Sequence, residues 1–137
     1  MNFRKDIFRD FDAAKRAYEP FVKRADIVKF SEDELLDFTG ISGIDAAAEL
    51  LCDKEKLILV TLGKNGSAYY FNGEKGVVPS EYKCKSVDTT GAGDAFFEAF
   101  VAAIEYKEPR RENIVSEMRK GNEKGAKTTE FFGAIKL

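Results

Sequence analysis

The apolar run at residues 57–62 constrains the fold of this chain more than any other feature. It reads Leu-Ile-Leu-Val-Thr-Leu, with no alternation between apolar and polar positions. A strand with one face in water alternates, whereas a strand covered on both faces is apolar along its whole length. We therefore expect a buried strand between layers of helices, which is the arrangement of α/β proteins.

The rest of the chain alternates between helical and extended patterns. Helical patterns occur at residues 10–24, which Pro20 can kink or interrupt, and at residues 31–40, 44–52, 93–106 and 111–129. Short β-prone runs occur at residues 26–30, 67–71, 76–79 and 82–87. Asn72-Gly73 is a strong hairpin turn between the second and third of these runs. This order predicts a single domain over residues 1–137, with a mostly parallel sheet that carries an antiparallel hairpin.

Composition excludes several classes of function. The net charge is only -2, and basic residues are scattered among acidic ones, so binding to nucleic acid has little support. No apolar run approaches the roughly 18 residues of a membrane span, and Met1 is not followed by a signal-peptide core. Cys52 and Cys84 have no metal-ligand spacing and no histidine to join them, so we expect reduced thiols in a cytoplasmic protein. Without histidine, acid–base chemistry falls to a carboxylate, Lys, Tyr or Cys.

The segment 88–96, Asp-Thr-Thr-Gly-Ala-Gly-Asp-Ala-Phe, is the strongest candidate for chemistry. Its small residues let backbone N–H groups approach an anion, and the predicted helix start adds free N–H groups and a positive dipole end. Such a loop suits the charge on a phosphoryl group during transfer. Asp94 is placed to accept a proton from an attacking hydroxyl. A structural alternative stays open, in which the glycines only form a tight bend before a helix.

Residues 88–96 resemble the C-terminal signature of the ribokinase/PfkB carbohydrate kinases along their whole length. The resemblance implies that Asp94 is the catalytic base. It also implies an anion hole formed by the backbone of Gly91, Ala92 and Gly93 together with the amide of Asp94. Asp88 and Thr90 would then lie near the nucleotide, ATP, and near a monovalent cation such as K⁺.

Two further motifs resemble nucleotide-binding parts of the same family. Thr61-Leu62-Gly63-Lys64-Asn65-Gly66 is similar to its Thr-x-Gly-x-x-Gly loop, which implies cofactor contacts at Thr61, Gly63 and Gly66. The same residues equally suit a plain chain turn. Asn122 resembles the asparagine of a late helix beside the adenine pocket, although Gly121 and Gly125 are expected to weaken that helix. Asn2-Phe3-Arg4 and Gly133-Ala134 are shorter matches.

Lys29-Phe30-Ser31-Glu32-Asp33-Glu34 occupies the place of the family's Lys-x-Asn-x-x-Glu motif, with serine as in the fructokinase branch. The resemblance makes Glu34 a candidate for organising Mg²⁺ and phosphates. A capping box between Ser31 and Glu34 explains the same residues, and the two roles are compatible.

The resemblance covers essentially the whole chain but only the C-terminal part of the family. It implies the C-terminal portion of a ribokinase-like three-layer α/β/α fold, without the N-terminal sugar-binding part and lid. The implied activity is ATP-dependent phosphorylation of a sugar hydroxyl, with fructose favoured. The implied partner is a companion N-terminal half or a second copy of the chain. Two alternatives stay open, namely a non-catalytic nucleotide-binding fragment of a split or truncated kinase and a purely structural α/β domain.

Overall fold

A computed structural model describes residues 10–53, 55–83 and 85–131. Its elements, in chain order, are α1 (Phe11–Arg24), β1 (Ile27–Ser31), α2 (Glu32–Thr39), α3 (Ile44–Leu51), β2 (Leu57–Thr61), β3 (Ser67–Phe71), β4 (Glu74–Val78), α4 (Ala92–Ile104) and α5 (Arg111–Thr128). The motifs Asn2-Phe3-Arg4 and Gly133-Ala134 lie outside the described residues, as does Cys84. Within the described ranges, no helix combines the length and the apolar character needed to cross a bilayer.

The four strands form one sheet in the order β1-β2-β3-β4. One neighbouring pair is parallel and the others are antiparallel. A parallel pair needs a long crossover, and only β1 and β2 have one, since α2 and α3 lie between them. The predicted hairpin turn joins β3 to β4, with Asn72 at φ 49° and Gly73 at φ 77°. The α/β class and the hairpin are confirmed, although the sheet of the described residues is mixed rather than mostly parallel.

The strand predicted at residues 82–87 is wrong for the part of it that the structure describes, which contains no strand. The backbone there meets the end of a helix instead. The N–H groups of Val87 and Asp88 both donate to the carbonyl oxygen of Thr129, at 2.7 and 3.1 Å. The segment has β propensity, but the N–H groups of Val87 and Asp88 share one carbonyl oxygen at a helix terminus instead of pairing along a strand.

Local signals set the ends of the helices as the sequence indicates. At the start of α2, Ser31 Oγ accepts the Glu34 N–H at 3.2 Å, while Glu34 Oε2 accepts the Ser31 N–H at 2.8 Å. This is the predicted capping box, and Gly40 at φ 71° ends the helix. Pro20 lies inside α1 without interrupting it.

The chain divides into two compact units. The first comprises the described part of residues 1–60 together with Tyr69–Lys75, and the second comprises Thr61–Ala68 with the described part of Gly76–Leu137. In the first unit, Phe30 and Phe38 are buried with their rings 5.8 Å apart. In the second unit, α4 packs along α5 and buries a core that includes Phe96, Phe100, Ile114 and Met118. A single domain over residues 1–137 stays a prediction.

Candidate functional site

The second unit contains a cavity of about 320 Å³, a size typical of small-ligand sites. Four segments of the unit line it, namely the turn after β2, the chain after β4, the start of α4 with its preceding loop, and the second half of α5. The lining residues are Thr61, Gly63, Lys64, Gly66, Ser80, Tyr82, Ser86, Thr89, Ala92, Gly93, Phe96, Gly121, Asn122, Gly125, Ala126 and Thr129.

The structure brings together most of the residues predicted from the nucleotide motifs. Those that line the cavity are Thr61, Gly63, Gly66, Ala92, Gly93 and Asn122. Those that belong to the same loop and helix start but are not lining residues are Asp88, Thr90, Gly91 and Asp94. Glu34 lies in the first unit.

The start of α4 has backbone N–H groups without helical acceptors, and one of the residues that carry them, Gly93, lines the cavity. Gly91 is the N-cap residue at φ 78° and provides no side-chain cap. The Ala92 N–H donates to the Thr89 carbonyl at 3.2 Å, so it is already engaged. The N–H groups of Gly93 and Asp94 belong to the first turn, where a helix has no acceptor of its own for them. An anion bound here would therefore meet two free donors and the positive end of the helix dipole.

Asp94 presents an accessible carboxylate beside these donors. It lies in the first turn of α4 and is exposed. No described side chain forms an ion pair or hydrogen bond with it. A carboxylate without a structural partner at a helix start is free to interact with a hydroxyl group from outside the protein.

Asp88 and Thr90 shape the loop that precedes the helix. Asp88 Oδ1 accepts both the Thr90 N–H at 2.9 Å and the Thr90 hydroxyl at 2.7 Å. The backbone N–H of Asp88 also donates to the Thr129 carbonyl. These bonds fix the loop against the end of α5. The predicted contacts of Asp88 and Thr90 with a nucleotide and a monovalent cation stay predictions.

Gly121 and Gly125 permit close packing of α5 against the start of α4. A Cβ atom added at Gly121 would lie 2.7 Å from Phe96 Cδ2, and one at Gly125 would lie 2.9 Å from the Ala92 carbonyl oxygen. Both glycines are buried, and α5 is continuous through them. The propensity cost of the two glycines to α5 stays as expected, and their missing side chains are in addition what lets α4 approach.

Gly66 closes the turn that follows β2. It has φ 96°, and a Cβ atom there would lie 2.1 Å from the Val78 carbonyl oxygen. No larger residue fits this position. Glycine is therefore required by the turn itself, whether or not a nucleotide binds, so the structure supports the plain-turn role and leaves the cofactor role of Thr61, Gly63 and Gly66 as a prediction.

Several lining residues were not predicted from the sequence. Tyr82 is one, and its hydroxyl donates to Glu130 Oε1 at 3.4 Å while the Lys127 ammonium lies 5.3 Å from its ring centroid. The others with polar side chains are Lys64, Ser80, Ser86, Thr89 and Thr129. Lys64 lies in a single 3₁₀ turn and the others lie outside the helices and strands, where periodicity carries no information. The only available signal was the positive charge of Lys64 within the Thr-x-Gly-x-x-Gly segment.

The carboxylate of Glu34 has protein partners in the first unit. Besides the capping bond to Ser31, its Oε2 lies 3.9 Å from Lys29 Nζ, and the Lys29 side chain is only 6% exposed. The described residues include no group of three or more acidic, cysteine or histidine side chains placed to hold a metal. Mg²⁺ commonly takes most of its ligands from phosphates and water with one or two carboxylates, so a single glutamate is compatible with it. The metal role of Glu34 stays a prediction.

Comparison with known proteins identifies the family. Residues 1–136 match the pfkB family carbohydrate kinase domain. The chain belongs to this family. Among its pfkB-family relatives, fructokinase-1 of Zea mays is 39% identical over 98% of this chain and 43% of the maize protein. Fructokinase-1 of Oryza sativa subsp. japonica is 43% identical over 75% of this chain and 32% of the rice protein. The chain therefore spans less than half the length of these relatives.

Solved structures of pfkB-type kinases have the same fold. Fructokinase from Vibrio cholerae, crystallised with fructose, ADP and calcium, superimposes with a TM-score of 0.85 at 29% identity, covering 97% of this chain and 44% of that one. Aminoimidazole riboside kinase from Salmonella enterica, crystallised with its riboside and an ATP analogue, gives a TM-score of 0.84 at 25% identity, covering 98% and 46%. These likenesses confirm the ribokinase-like fold expected from the sequence.

Proposed function

We propose that this chain carries the nucleotide-binding and catalytic-base part of an ATP-dependent sugar kinase, with fructose as the favoured acceptor. The observation that carries the proposal is the uncapped start of α4, because Gly93 has a free N–H in the first turn and also lines the cavity. The fructokinase relatives support a sugar as the acceptor.

In the proposed reaction, the acceptor hydroxyl gives its proton to the Asp94 carboxylate as its oxygen attacks the γ-phosphorus of ATP. A new oxygen–phosphorus bond forms, the bond between the γ-phosphorus and the bridging oxygen breaks, and ADP leaves. The N–H groups of Gly93 and Asp94 and the dipole of α4 stabilise the charge on the transferring group. A carboxylate base contributes roughly 10²- to 10⁴-fold to such a reaction.

The proposed cofactor contacts follow the predicted residues. Thr61, Gly63, Gly66 and Asn122 lie on the cavity wall and would adjoin ATP. Glu34 would assist Mg²⁺, which neutralises phosphate charge when bound, and Asp88 and Thr90 would adjoin K⁺. We place the reaction in the cytoplasm, where ATP is available.

The acceptor site requires further polypeptide in this proposal. The relatives are more than twice as long as the aligned region, since the chain covers 43% of the maize enzyme. We propose that polypeptide corresponding to the remaining length of these relatives completes the sugar site, whether it belongs to the same polypeptide, to a companion chain or to a second copy of this chain. The second candidate function is nucleotide binding without phosphate transfer, which the predicted nucleotide motifs on the cavity wall support equally.

Calorimetric titration with ADP and MgATP tests the nucleotide site directly. Ala126 lines the cavity, and Ala126→Phe would fill it, so this variant is expected to lose binding that the parent shows. Ala102→Phe is the matched control, because Ala102 is exposed on α4 and is not a lining residue. A parent chain that binds neither nucleotide would contradict both candidate functions and favour a structural domain. Binding without phosphorylation of fructose, even with the companion polypeptide added, would favour the second candidate.

A further inference from the structure

Asn122 is a buried side chain whose amide is bonded at both ends to other parts of the second unit. Its Oδ1 accepts the Ser67 hydroxyl at 2.8 Å, and its Nδ2 donates to the Val78 carbonyl oxygen at 3.0 Å. Asn122 is 8% exposed and Ser67 is fully buried. One amide on α5 therefore links the first residue of β3 to the last residue of β4.

Both partners adjoin the turn that follows β2. Ser67 directly follows Gly66, whose α-carbon lies so close to the Val78 carbonyl oxygen that an added Cβ would be 2.1 Å away. The Val78 carbonyl thus contacts the backbone of the turn and accepts the Asn122 amide. Gly63 and Gly66 line the cavity, whereas Ser67 and Val78 do not. Asn122 itself lines the cavity, but its two bonds reach the turn through Ser67 and Val78, which do not.

These bonds limit what Asn122 can do for a bound base. An asparagine that identifies a base directs its oxygen and its nitrogen together at the base edge. Here protein partners take one acceptor position of Oδ1 and one N–H of Nδ2, and turning the amide toward a base edge would break both of these bonds to buried groups. Leaving buried polar groups without partners is strongly unfavourable.

We propose that Asn122 is a positioning residue, which holds the turn at residues 63–66 and the end of β4 in place beside the cavity, and that it does not select the base. The part of this inference that concerns a nucleotide rests on the proposed function. The clamp, by which we mean the two bonds of Asn122 to Ser67 and Val78, exists in the free protein. Asn122 then affects a bound nucleotide through the position of Gly66 and not by contacting the base.

Amide hydrogen exchange in the nucleotide-free chain tests the clamp without any activity. The turn is closed by the Leu62 N–H donating to the Gly66 carbonyl at 2.8 Å and the Gly66 N–H donating to the Gly63 carbonyl at 3.1 Å. Asn122→Ala should raise exchange at these two amides by about fivefold or more relative to the slowest amides of β2, the effect of losing one or two hydrogen bonds.

Asn113→Ala is the matched control for this experiment. Asn113 is on the same helix, and its Nδ2 donates to the Glu108 carbonyl at 2.9 Å, remote in sequence from the turn. It should leave exchange at Leu62 and Gly66 unchanged. Equal exchange at these amides in Asn122→Ala and Asn113→Ala would overturn the proposal.

Nucleotide selectivity separates positioning from base recognition. In Asn122→Ala, affinities for ADP and GDP should fall by the same factor, about tenfold, because the turn shifts for both ligands. Ser67→Ala should also lower the affinities for both ADP and GDP, although Ser67 does not line the cavity. A change of more than about fivefold in the ratio of the two affinities would instead show that Asn122 reads the base. If the parent binds neither nucleotide, the proposed function fails, and the exchange experiment still decides whether the clamp exists.

Discussion

Gly125 on α5 lies directly against Ala92, the first residue of α4, so that a Cβ atom at Gly125 would be 2.9 Å from the Ala92 carbonyl oxygen. The neighbouring atom belongs to the backbone and cannot rotate aside. Ala92 also lines the cavity and precedes the residues with free N–H groups. A glycine on α5 therefore sets how closely α5 approaches the first turn of α4, where we propose that an anion binds.

Gly125→Ala overpacks a contact with a backbone atom, which puts its cost in the upper part of the usual range, at about 2–3 kcal/mol. Alanine favours a helix over glycine by about 1 kcal/mol, so the expected net loss of stability is about 1–2 kcal/mol. Urea unfolding measures it, and calorimetry with ADP should show weaker binding. Lys124→Ala, at the exposed neighbouring position, should change stability by less than about 0.5 kcal/mol. A Gly125→Ala variant as stable as the parent would contradict this account of the packing.

Glu117 is a buried carboxylate held by two lysines at the end of the α4–α5 pair. Its side chain is fully buried and bonds to Lys107, while Lys120 Nζ lies 2.8 Å from its Oε2. Burial alone would raise the pKa of Glu117, but the hydrogen bonds from Lys107 and Lys120 outweigh it and lower the pKa below its ordinary 4.5. Glu117→Gln should therefore cost about 1–3 kcal/mol at neutral pH, the value of hydrogen bonds to a charged group.

The pH dependence of this cost has a definite sign. Because the folded pKa is lowered, the stabilisation is fully present above pH 4.5 and is lost as the pH falls through the folded pKa. The unfolding free energies of parent and Glu117→Gln, measured with urea, should thus begin to converge as the pH falls below 4.5 and meet once it is below the folded pKa of Glu117. Glu123→Gln is the control, because its pair with Lys127 is about half exposed and should contribute less than about 0.5 kcal/mol. A difference between parent and Glu117→Gln that persists unchanged at low pH would contradict the assignment.

Tyr70 is a buried tyrosine in the first unit whose hydroxyl donates to Asp45 Oδ1 at 2.6 Å. Burial and that bond raise the pKa of Tyr70 well above its ordinary 10. Its stabilisation is therefore present below pH 10 and is lost as the pH rises through the folded pKa. We expect the absorbance titration of tyrosinate to be the same for parent and Tyr70→Phe up to about pH 11.

The same two chains unfolded in urea provide the contrast for that titration, because Tyr70 in an unfolded chain ionises near its ordinary pKa of 10 and its loss then lowers the absorbance. Tyr70→Phe should still cost about 1 kcal/mol in urea unfolding at pH 7, because Asp45 loses a hydrogen bond. If Tyr70→Phe shows less tyrosinate absorbance than the parent below pH 11, Tyr70 ionises in that range. This result would contradict the buried hydrogen bond between Tyr70 and Asp45.

The parts of the fold that depend on neighbouring residues were predictable from the sequence. The capping box of Ser31 and Glu34, the Asn72-Gly73 turn and the buried β2 strand each involve a few consecutive residues with strong preferences. The predicted strand at 82–87 failed because its backbone partner, Thr129, is distant in sequence. Local preference does not reveal such a partner.

The candidate site was predictable where a motif is contiguous and not where it is assembled from distant segments. The loop at residues 88–94 was evident as one run, and the family identity followed from it. The clamp of Asn122 with Ser67 and Val78 joins residues far apart in the chain, so the sequence indicated Asn122 but not its partners. Likewise, the close approach of Gly125 to Ala92 joins residues far apart in the chain, and helix propensity alone indicated only the cost of this glycine to α5.

A coupled assay of fructose-dependent ADP release tests the central claim most directly. It compares the parent chain with Asp94→Asn, and each is assayed alone and with the companion polypeptide added. The parent should release ADP only when fructose and MgATP are both present. Asp94→Asn should lose at least about a hundredfold in rate while its ADP affinity changes by less than about threefold, because the base is removed and the cavity is kept. Equal rates for the two chains, or no fructose-dependent ADP release from the parent under either condition, would contradict the account.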